Sequence, residues 1–402
     1  MTLRGAQNML LADAGPGNGN VAELLIREML DCPGVKPVHF AGLMNAPSGG
    51  HLTDSRLLHQ KFFAPPGEFG RRNASGIQGT LQCIADRLQR YEPAIRKLAQ
   101  EVIHFVQEIK PDRLWAILSS TVAIDVAYFV QKATGVKMLI HVWDDPRHIM
   151  TQRQLDRFTV RRTMKRFDYL LAHAEKMGVI CEQMAEAYAK KSSAPAVIIR
   201  HGLKERVHPR SEPSSKDEFR IGLSGSMYCY SAWKALQETL DKLDWRIGSR
   251  RIVLVVAGSE IQFRAFKSAE CRFYGWRTLE QVDELLSECD LLYVPHPFES
   301  YQEPLARLSF PTKLSAYVAT GRPILLHAPE YSSLTPFCRQ HQFGLLTPEL
   351  NSEKLTAFLL TQLSSVDRLR ELSEQTARVG STILGRSQFQ TQTVNFLQGT
   401  RS

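Results

Sequence analysis

The sequence predicts an α/β protein of two similar-sized domains, each a parallel sheet covered by helices. Three observations carry this. The chain has 402 residues, more than one hydrophobic core ordinarily serves. Short apolar runs alternate with segments of helical period along its length. A polar, proline-bearing stretch near the middle interrupts the alternation, which then begins again.

Size suits two domains of roughly 200 residues each. Apolar residues make up 43% and charged residues 23%, the balance of an ordinary globular chain. No apolar run approaches the ~20 residues that span a bilayer, and the N-terminal stretch lacks the apolar core of a signal peptide. A cytoplasmic protein is expected. Seven cysteines (Cys32, Cys83, Cys181, Cys229, Cys271, Cys289, Cys338) are widely spaced and form no CxxC pair. This predicts buried free thiols rather than a disulfide framework or a zinc site.

In the first half, an apolar run from Met9 to Ala14 leads through Gly15, Gly17 and Gly19 into a helical segment, Val21 to Leu30. That is strand, glycine-rich turn, helix. Pro37 to Leu43 follows as a strand. Residues 45–79, rich in Gly, Pro and Ser, read as a long loop. From Leu81 the three-four apolar spacing runs to residue 109, a long amphipathic helix that Pro93 should divide. Then come a strand (114–118), a helix (122–133), a strand (136–142), a basic helix (150–166), a strand (169–172), a helix (179–190) and a strand (196–199).

Residues 204–218 read as the linker between an N-terminal domain (1–203) and a C-terminal one (219–385), with a helical tail (386–402) that could cross back. The second alternation has strands at 219–223, 252–257, 272–274, 291–295 and 324–326. Its helices lie near 232–243, 279–287, 311–319 and 352–363.

Chemistry concentrates in Phe310-Pro311-Thr312-Lys313-Leu314, running on to Gly321-Arg322-Pro323. Proline suits a first helical turn, and glycine suits the helix C-terminus. The free amides of Thr312 and Lys313, with the lysine cation, then form a phosphate site at a helix N-terminus. An ordinary capped helix with a solvent-facing lysine is the plainer alternative.

This segment resembles the signature of the group-1 glycosyltransferases, the retaining family of glycogen and sucrose synthases, whose two-domain fold is GT-B. The similarity extends to Phe219–Ser226, to Val253–Ser259, to Phe273-Tyr274-Gly275-Trp276, and to Leu285–Pro295. It therefore covers most of residues 219–347. The N-terminal half matches more weakly, in the glycines at 15–19 and in Arg200-His201-Gly202-Leu203. The resemblance implies an α/β GT-B fold, two Rossmann-like domains facing each other across a cleft. It implies a metal-independent, retaining transfer of sugar from a nucleotide-diphosphate sugar to a hydroxyl acceptor, with no cofactor. Such an acceptor is a cell-surface glycan, a lipid-linked precursor or a protein. Donor-binding residues would be Gly225, Ser226, Lys234, Gly275, Trp276, Arg277, Ser309, Thr312, Lys313 and Leu314. Gly17 and Gly19 would let the N-terminal backbone approach substrate, and His141 would sit near the transferred sugar.

Two departures from the family pattern stand out. Ser226 replaces an expected arginine, and Ala316 replaces an expected ribose-binding glutamate. Arg307, Arg322, Glu299 and Glu303 are the candidate replacements. His141, Asp144 and Asp145 fall at a strand end, where a carboxylate can serve as general base or hold the sugar; a turn capped by aspartates fits equally. A nucleotide-sugar epimerase, or a sugar-nucleotide-binding subunit without catalysis, is the alternative function.

All the net charge of +9 lies in the first half: residues 1–210 hold 29 Lys and Arg against 20 Asp and Glu, and the rest hold 21 against 21. Arg153, Arg157, Arg161 and Lys165 fall at i, i+4, with Arg162 and Arg166 beside them. With the aromatic and basic loop 61–72 they suggest an anionic membrane surface as partner and a peripheral location; a solvated basic face is the plain reading. No nucleic-acid motif is present.

Overall fold

The computed structural model describes residues 7–17, 19–67, 76–259 and 270–398. The part of the aromatic and basic loop at 68–72 lies outside them. The chain forms two compact units, Met1–Ile199 with Gln390–Ser402, and Arg200–Phe389.

The first unit runs β1 (Asn8–Ala12), α1 (Val21–Leu30), β2 (Val38–Gly42), β3 (Leu57–Phe62), α2 (Gly76–Asp86), a π-helical turn (Arg87–Tyr91), α3 (Glu92–Ile109), β4 (Arg113–Ile117), α4 (Thr121–Thr134), β5 (Lys137–His141), α5 (Pro146–Gln152), α6 (Arg157–Ala172), β6 (Ala174–Val179), α7 (Glu182–Ala189) and β7 (Ala196–Ile198). Its strands lie in the order β3-β2-β1-β4-β5-β6-β7, all parallel. Chain order reverses between β1 and β4. The central strands are apolar and buried along nearly their whole length, as a sheet covered on both faces requires.

Several expectations hold closely. α1 has the bounds read from the sequence, capped by Asn20, whose side chain accepts from Glu23 N–H. Pro93 sits in the first turn of α3, and the long amphipathic region divides just before it. Other expectations fail for identifiable reasons. The loop at 45–79 contains β3, an edge strand whose pattern is mostly exposed and so lacks the apolar signal of a buried strand. Residues 169–172 are not a strand but the end of α6, where Leu170 and Leu171 are fully buried; a short apolar run reads the same in either state. The neighbouring strand is β6, and Val179 ends it rather than starting a helix.

The basic helix 150–166 is two helices. Arg153 caps α5, Gln154 turns with φ +51°, and Asp156 caps α6 by accepting from Phe158 and Thr159 N–H. Arg153 therefore leaves the cationic stripe. Arg157, Arg161 and Lys165 remain in register on α6, exposed.

The second unit runs β8 (Glu218–Gly225), α8 (Tyr230–Lys242), β9 (Arg246–Ile247), β10 (Arg250–Gly258), β11 (Cys271–Gly275), α9 (Leu279–Ser287), β12 (Leu291–Pro295), α10 (Glu303–Leu308), α11 (Lys313–Thr320), β13 (Ile324–His327), α12 (Leu334–His341), β14 (Leu345–Thr347), α13 (Ser352–Leu363) and α14 (Val366–Ser381). The last helix, α15 (Arg386–Leu397), begins here, and its residues from Gln390 belong to the first unit. The main sheet is ordered β11-β10-β8-β12-β13-β14, with β9 antiparallel on β10. Chain order reverses between β8 and β12. Phe219, Trp233, Trp245 and Leu372 anchor the core on one face. Each fully buried side chain of this size contributes about 1.5–3 kcal/mol.

The polar stretch 204–218 packs onto the second unit rather than running free. Val207 N–H donates to Ser381 Oγ at 2.8 Å, Arg210 N–H to Gly321 O at 3.0 Å, and Ser214 Oγ to Asp290 Oδ2 at 2.7 Å. Gly321 caps α11 with φ +73°, and a Cβ there would overlap the His208 carbonyl. Gly321→Ala should therefore destabilise the protein by about 1–3 kcal/mol through overpacking, read as a lowered midpoint in urea unfolding. Wild-type stability would show that segment 207–210 yields freely.

All seven cysteines are free thiols; Cys83 and Cys271 are partly exposed and the rest buried. Among the described residues no helix is long and apolar enough to cross a membrane.

Candidate functional site

In open α/β sheets ligands settle at the carboxyl ends of strands, where chain order reverses. In the second unit that point lies between the ends of β8 and β12. β8 ends at Gly225, with φ +81°, and β10 beside it ends at Gly258, with φ +140°. A side chain at Gly258 would overlap the Gly225 backbone. Above Gly225 the space is open, and a Cβ there would meet only Lys313 Cε, at 4.0 Å.

Lys313 begins α11. Its Nζ lies 3.3 Å from Ser226 O, to which it donates, and 5.7 Å from the centre of the Tyr228 ring. The ammonium keeps some accessible surface but is densely surrounded by protein, and desolvation lowers its pKa to about 8. α11 is held in place from behind: Tyr317, fully buried, accepts from the Ser224 N–H at 2.6 Å. Thr312 precedes the helix with an exposed hydroxyl that makes no capping bond. So Gly225, Ser226, Thr312 and Lys313 come together at the switch point as the sequence implied.

The other expected donor residues divide. Gly275, φ +67°, ends β11 at the same sheet edge, and beyond it Trp276 is 69% exposed, with Arg277 donating to its carbonyl. Leu314 is fully buried, so its side chain belongs to the core and only its backbone can face a ligand. Ser309 is buried and its hydroxyl lies 3.4 Å from His296 Nε2. Lys234 stands apart: its side chain is 75% exposed and its ammonium is 3.8 Å from Glu238.

The candidate replacements for the missing arginine and glutamate are engaged elsewhere. Arg322 is buried and donates to the carbonyls of Ser287, Arg210 and Glu212. Arg307 pairs with Glu303 and lies over the Tyr331 ring. Glu299 accepts from Ser231 N–H at 2.9 Å and Phe298 N–H at 3.1 Å, fixing the start of α8.

One residue escaped the sequence reading. His296 follows β12 directly and is fully buried, between Ser332 Oγ at 2.7 Å and Ser309 Oγ at 3.4 Å. Burial first, and then the Lys313 charge, lowers its pKa to about 3. It is a neutral prop under the site. Its position one residue past an apolar strand was the available signal.

In the first unit the reversal point lies between β1 and β4. Asp13 follows β1 and accepts from Ser119 Oγ, after β4, at 2.6 Å. Gly17 and Gly19 wrap the Glu23 carboxylate: Gly19 N–H donates to it at 2.9 Å, and a Cβ on Gly17 would stand 2.6 Å from the same oxygen. The glycine turn thus closes on a side chain of its own helix.

The strand-end trio at 141–145 resolves into three different roles. His141 is buried, packed by Trp115, Trp143 and Phe396, and accepts from Trp143 Nε1 at 3.2 Å. Desolvation lowers its pKa to about 3, so it is a neutral residue packed in the core. Asp145 is buried too, capping α5 through Arg147 N–H and accepting from Tyr188 OH at 3.0 Å. It is the turn-capping aspartate of the plainer reading. Asp144 alone is exposed. Protein packed around it raises its pKa; His148 opposes the rise and Asp145 adds to it. A reachable carboxylate with a raised pKa is suited to proton transfer.

No protein-family model matches the chain, and no curated protein is similar to it in sequence. Solved structures are similar over nearly its whole length. The Anabaena protein HepE in complex with UDP-glucose has 13% identity and a TM-score of 0.61, over 97% of this chain and 99% of that one. Sucrose-phosphate synthase from Thermosynechococcus elongatus has 12% identity and a TM-score of 0.63, over 96% and 97%. The α,α-trehalose 6-phosphate synthase from Burkholderia multivorans has 10% and 0.63, over 98% of both chains. These neighbours are glycosyltransferases of GT-B architecture. The chain therefore has the α/β GT-B fold, built from two Rossmann-like sheets.

Proposed function

We propose that the protein transfers a sugar from a nucleotide-diphosphate sugar to a hydroxyl acceptor. The observation that carries this is Lys313 beside an open Gly225, at the reversal point of the second sheet. A diphosphate there meets one ammonium, the first-turn amides of α11 and a glycine turn, the elements of an anion site. These groups neutralise the leaving diphosphate, so no resident metal is required; full activity in excess chelator is the expected result. Trp276 and Arg277, two strands away on the same edge, face the base side. Among the solved structures similar to this chain, HepE has been solved with UDP and with UDP-glucose, and a further one holds UDP-2-fluoro glucose.

The acceptor side belongs to the first unit, with Asp144 as the group that receives or orients the acceptor hydroxyl. Retention of anomeric configuration is part of the proposal, the departing phosphate taking the proton. The acceptor we favour is a cell-surface glycan or a lipid-linked precursor, handled at the cytoplasmic face of a membrane. Arg157, Arg161 and Lys165 on α6 supply the cations for that contact, and Phe158, 61% exposed, an apolar neighbour. Co-sedimentation with anionic vesicles at low salt tests it, and failure to bind would remove the membrane from the account.

Thermal-shift screening against UDP, GDP, ADP and dTDP sugars tests the donor. At least one should stabilise the protein; silence across the panel would contradict the reading. Stabilisation without sugar transfer to any glycan or lipid-linked acceptor would favour a binding subunit instead. The engagement of Arg322 and Glu299 elsewhere lends that alternative its support.

The Lys313 pKa makes donor binding depend on pH. Its value is lowered in the free protein, so the cation is complete below about 8 and lost above it. A bound diphosphate favours the charged form, so binding above that pH takes up a proton. Affinity should be flat in mild acid and fall as pH rises through 8, by up to about tenfold per unit. Titration calorimetry across that range reads it, and Lys313→Arg should flatten the profile.

A further inference from the structure

Away from the strand ends, α3, α4 and α6 line an open cavity of about 660 Å³ in the first unit. Its walls are helix faces, and it shares no residue with the strand-end loops. Arg96, Lys132, Arg162, Lys165 and Arg166 line it, and no acidic side chain does. This size is ordinary for a metabolite site.

The guanidinium groups are held in place. Arg162 Nη2 lies 2.7 Å from Glu92 Oε1, which Arg166 also pairs, and Arg166 Nη1 lies 3.0 Å from Asp125 Oδ1. Arg87 holds Asp125 from the other side, at 3.2 Å. Arg96 and Arg166 both lie over the Phe129 ring, 4.8 and 4.7 Å from its centre. Glu92 and Asp125 are buried and do not line the space.

The charges do not cancel. Arg96, Lys132, Arg162, Lys165 and Arg166 line the cavity as five cations; with Arg87, Glu92 and Asp125 behind them, the cluster carries an excess of +4. Like charges so close repel unless an anion joins them. Planar guanidinium forks, oriented beforehand, suit the oxygens of phosphate.

We infer that this cavity is a second anion site, which binds a compact ligand bearing a phosphate or diphosphate group. It is independent of the proposed donor site. The phosphate belongs to a free phosphorylated metabolite or to the headgroup of an anionic lipid.

The test is lysine acetylation footprinting of the full chain, read at Lys132 and Lys165, which are exposed and make no fold-critical bond. The probes are inorganic pyrophosphate, and vesicles of phosphatidylcholine with and without phosphatidic acid. Occupancy should slow acetylation at both lysines roughly tenfold, leaving Lys97 and Lys190 unchanged. Protection by pyrophosphate assigns a free phosphorylated ligand. Protection only by vesicles containing phosphatidic acid assigns the lipid headgroup. Arg96→Gln, at a side chain 59% exposed, should abolish the protection without affecting the Lys313-dependent binding of nucleotide sugars. No protection by either probe, equal protection at Lys97 and Lys190, or protection undiminished in Arg96→Gln would overturn the inference.

Discussion

Replacing Lys313 by alanine should weaken nucleotide-sugar binding by about 2–3 kcal/mol, roughly 30- to 150-fold. The residue is the cation placed over the Gly225 turn, 3.3 Å from Ser226 O. Arg322, one candidate to replace it, is bound to three carbonyls and cannot move in without giving them up. Lys234 pairs with Glu238 at the surface and should matter little, so Lys234→Ala serves as the control. The fold should survive Lys313→Ala, because Tyr317 and the buried face of α11 hold the helix. Calorimetry on both variants separates the roles, and equal losses would show that Lys313 holds no special position.

Asp144→Asn should raise the acceptor KM and lower kcat only modestly, because the carboxylate orients the acceptor hydroxyl while the departing phosphate takes its proton. A fall in kcat by a factor of about 10²–10⁴ would instead make the carboxylate the base and contradict the proposed retention. Donor affinity should be unchanged in either case, since the proposed donor site lies on the second unit. His141→Phe is the matched comparison. His141 sits among Trp115, Trp143 and Phe396, and phenylalanine keeps the aromatic packing while removing both ring nitrogens. Near wild-type kinetics in His141→Phe beside a raised acceptor KM in Asp144→Asn is the expected pair. The reverse pattern would restore His141 to the chemistry and remove Asp144.

The strand-end trio also shows where sequence reading stops. Residues 141, 144 and 145 all stand at the end of an apolar strand, and their types suit chemistry equally well. Their difference lies in what covers them: Phe396, some 250 residues later in the chain, closes over His141, and Tyr188 takes up Asp145. Neither contact has a local signature. The cationic series at 153–165 failed for a local reason, the Gln154 turn and the Asp156 cap, and Asp156 was a visible helix start. By contrast, the helix start proposed to hold the anion was legible because its parts are contiguous: Pro311 and Thr312 precede α11, Lys313 begins it and Gly321 caps it. The parallel strands were legible because burial on both faces makes them continuous apolar runs, and β3 was missed because it is an edge.

The Ala316 and Ser226 departures raised the question of what completes the site. Arg307, Arg322, Glu299 and Glu303 all have other partners. The structure offers Lys313, the α11 amides and the exposed Trp276 and Arg277 in their place. In the proposed site that set meets the diphosphate and the base.

The most direct test is hydrogen–deuterium exchange of the intact protein with and without the nucleotide sugar that gives the largest thermal shift. Slowed exchange is expected in three stretches of the second unit, 222–229, 273–278 and 311–317, the ends of β8 and β11 and the start of α11. Protection confined to other segments, with these three unchanged, would contradict the proposed donor site.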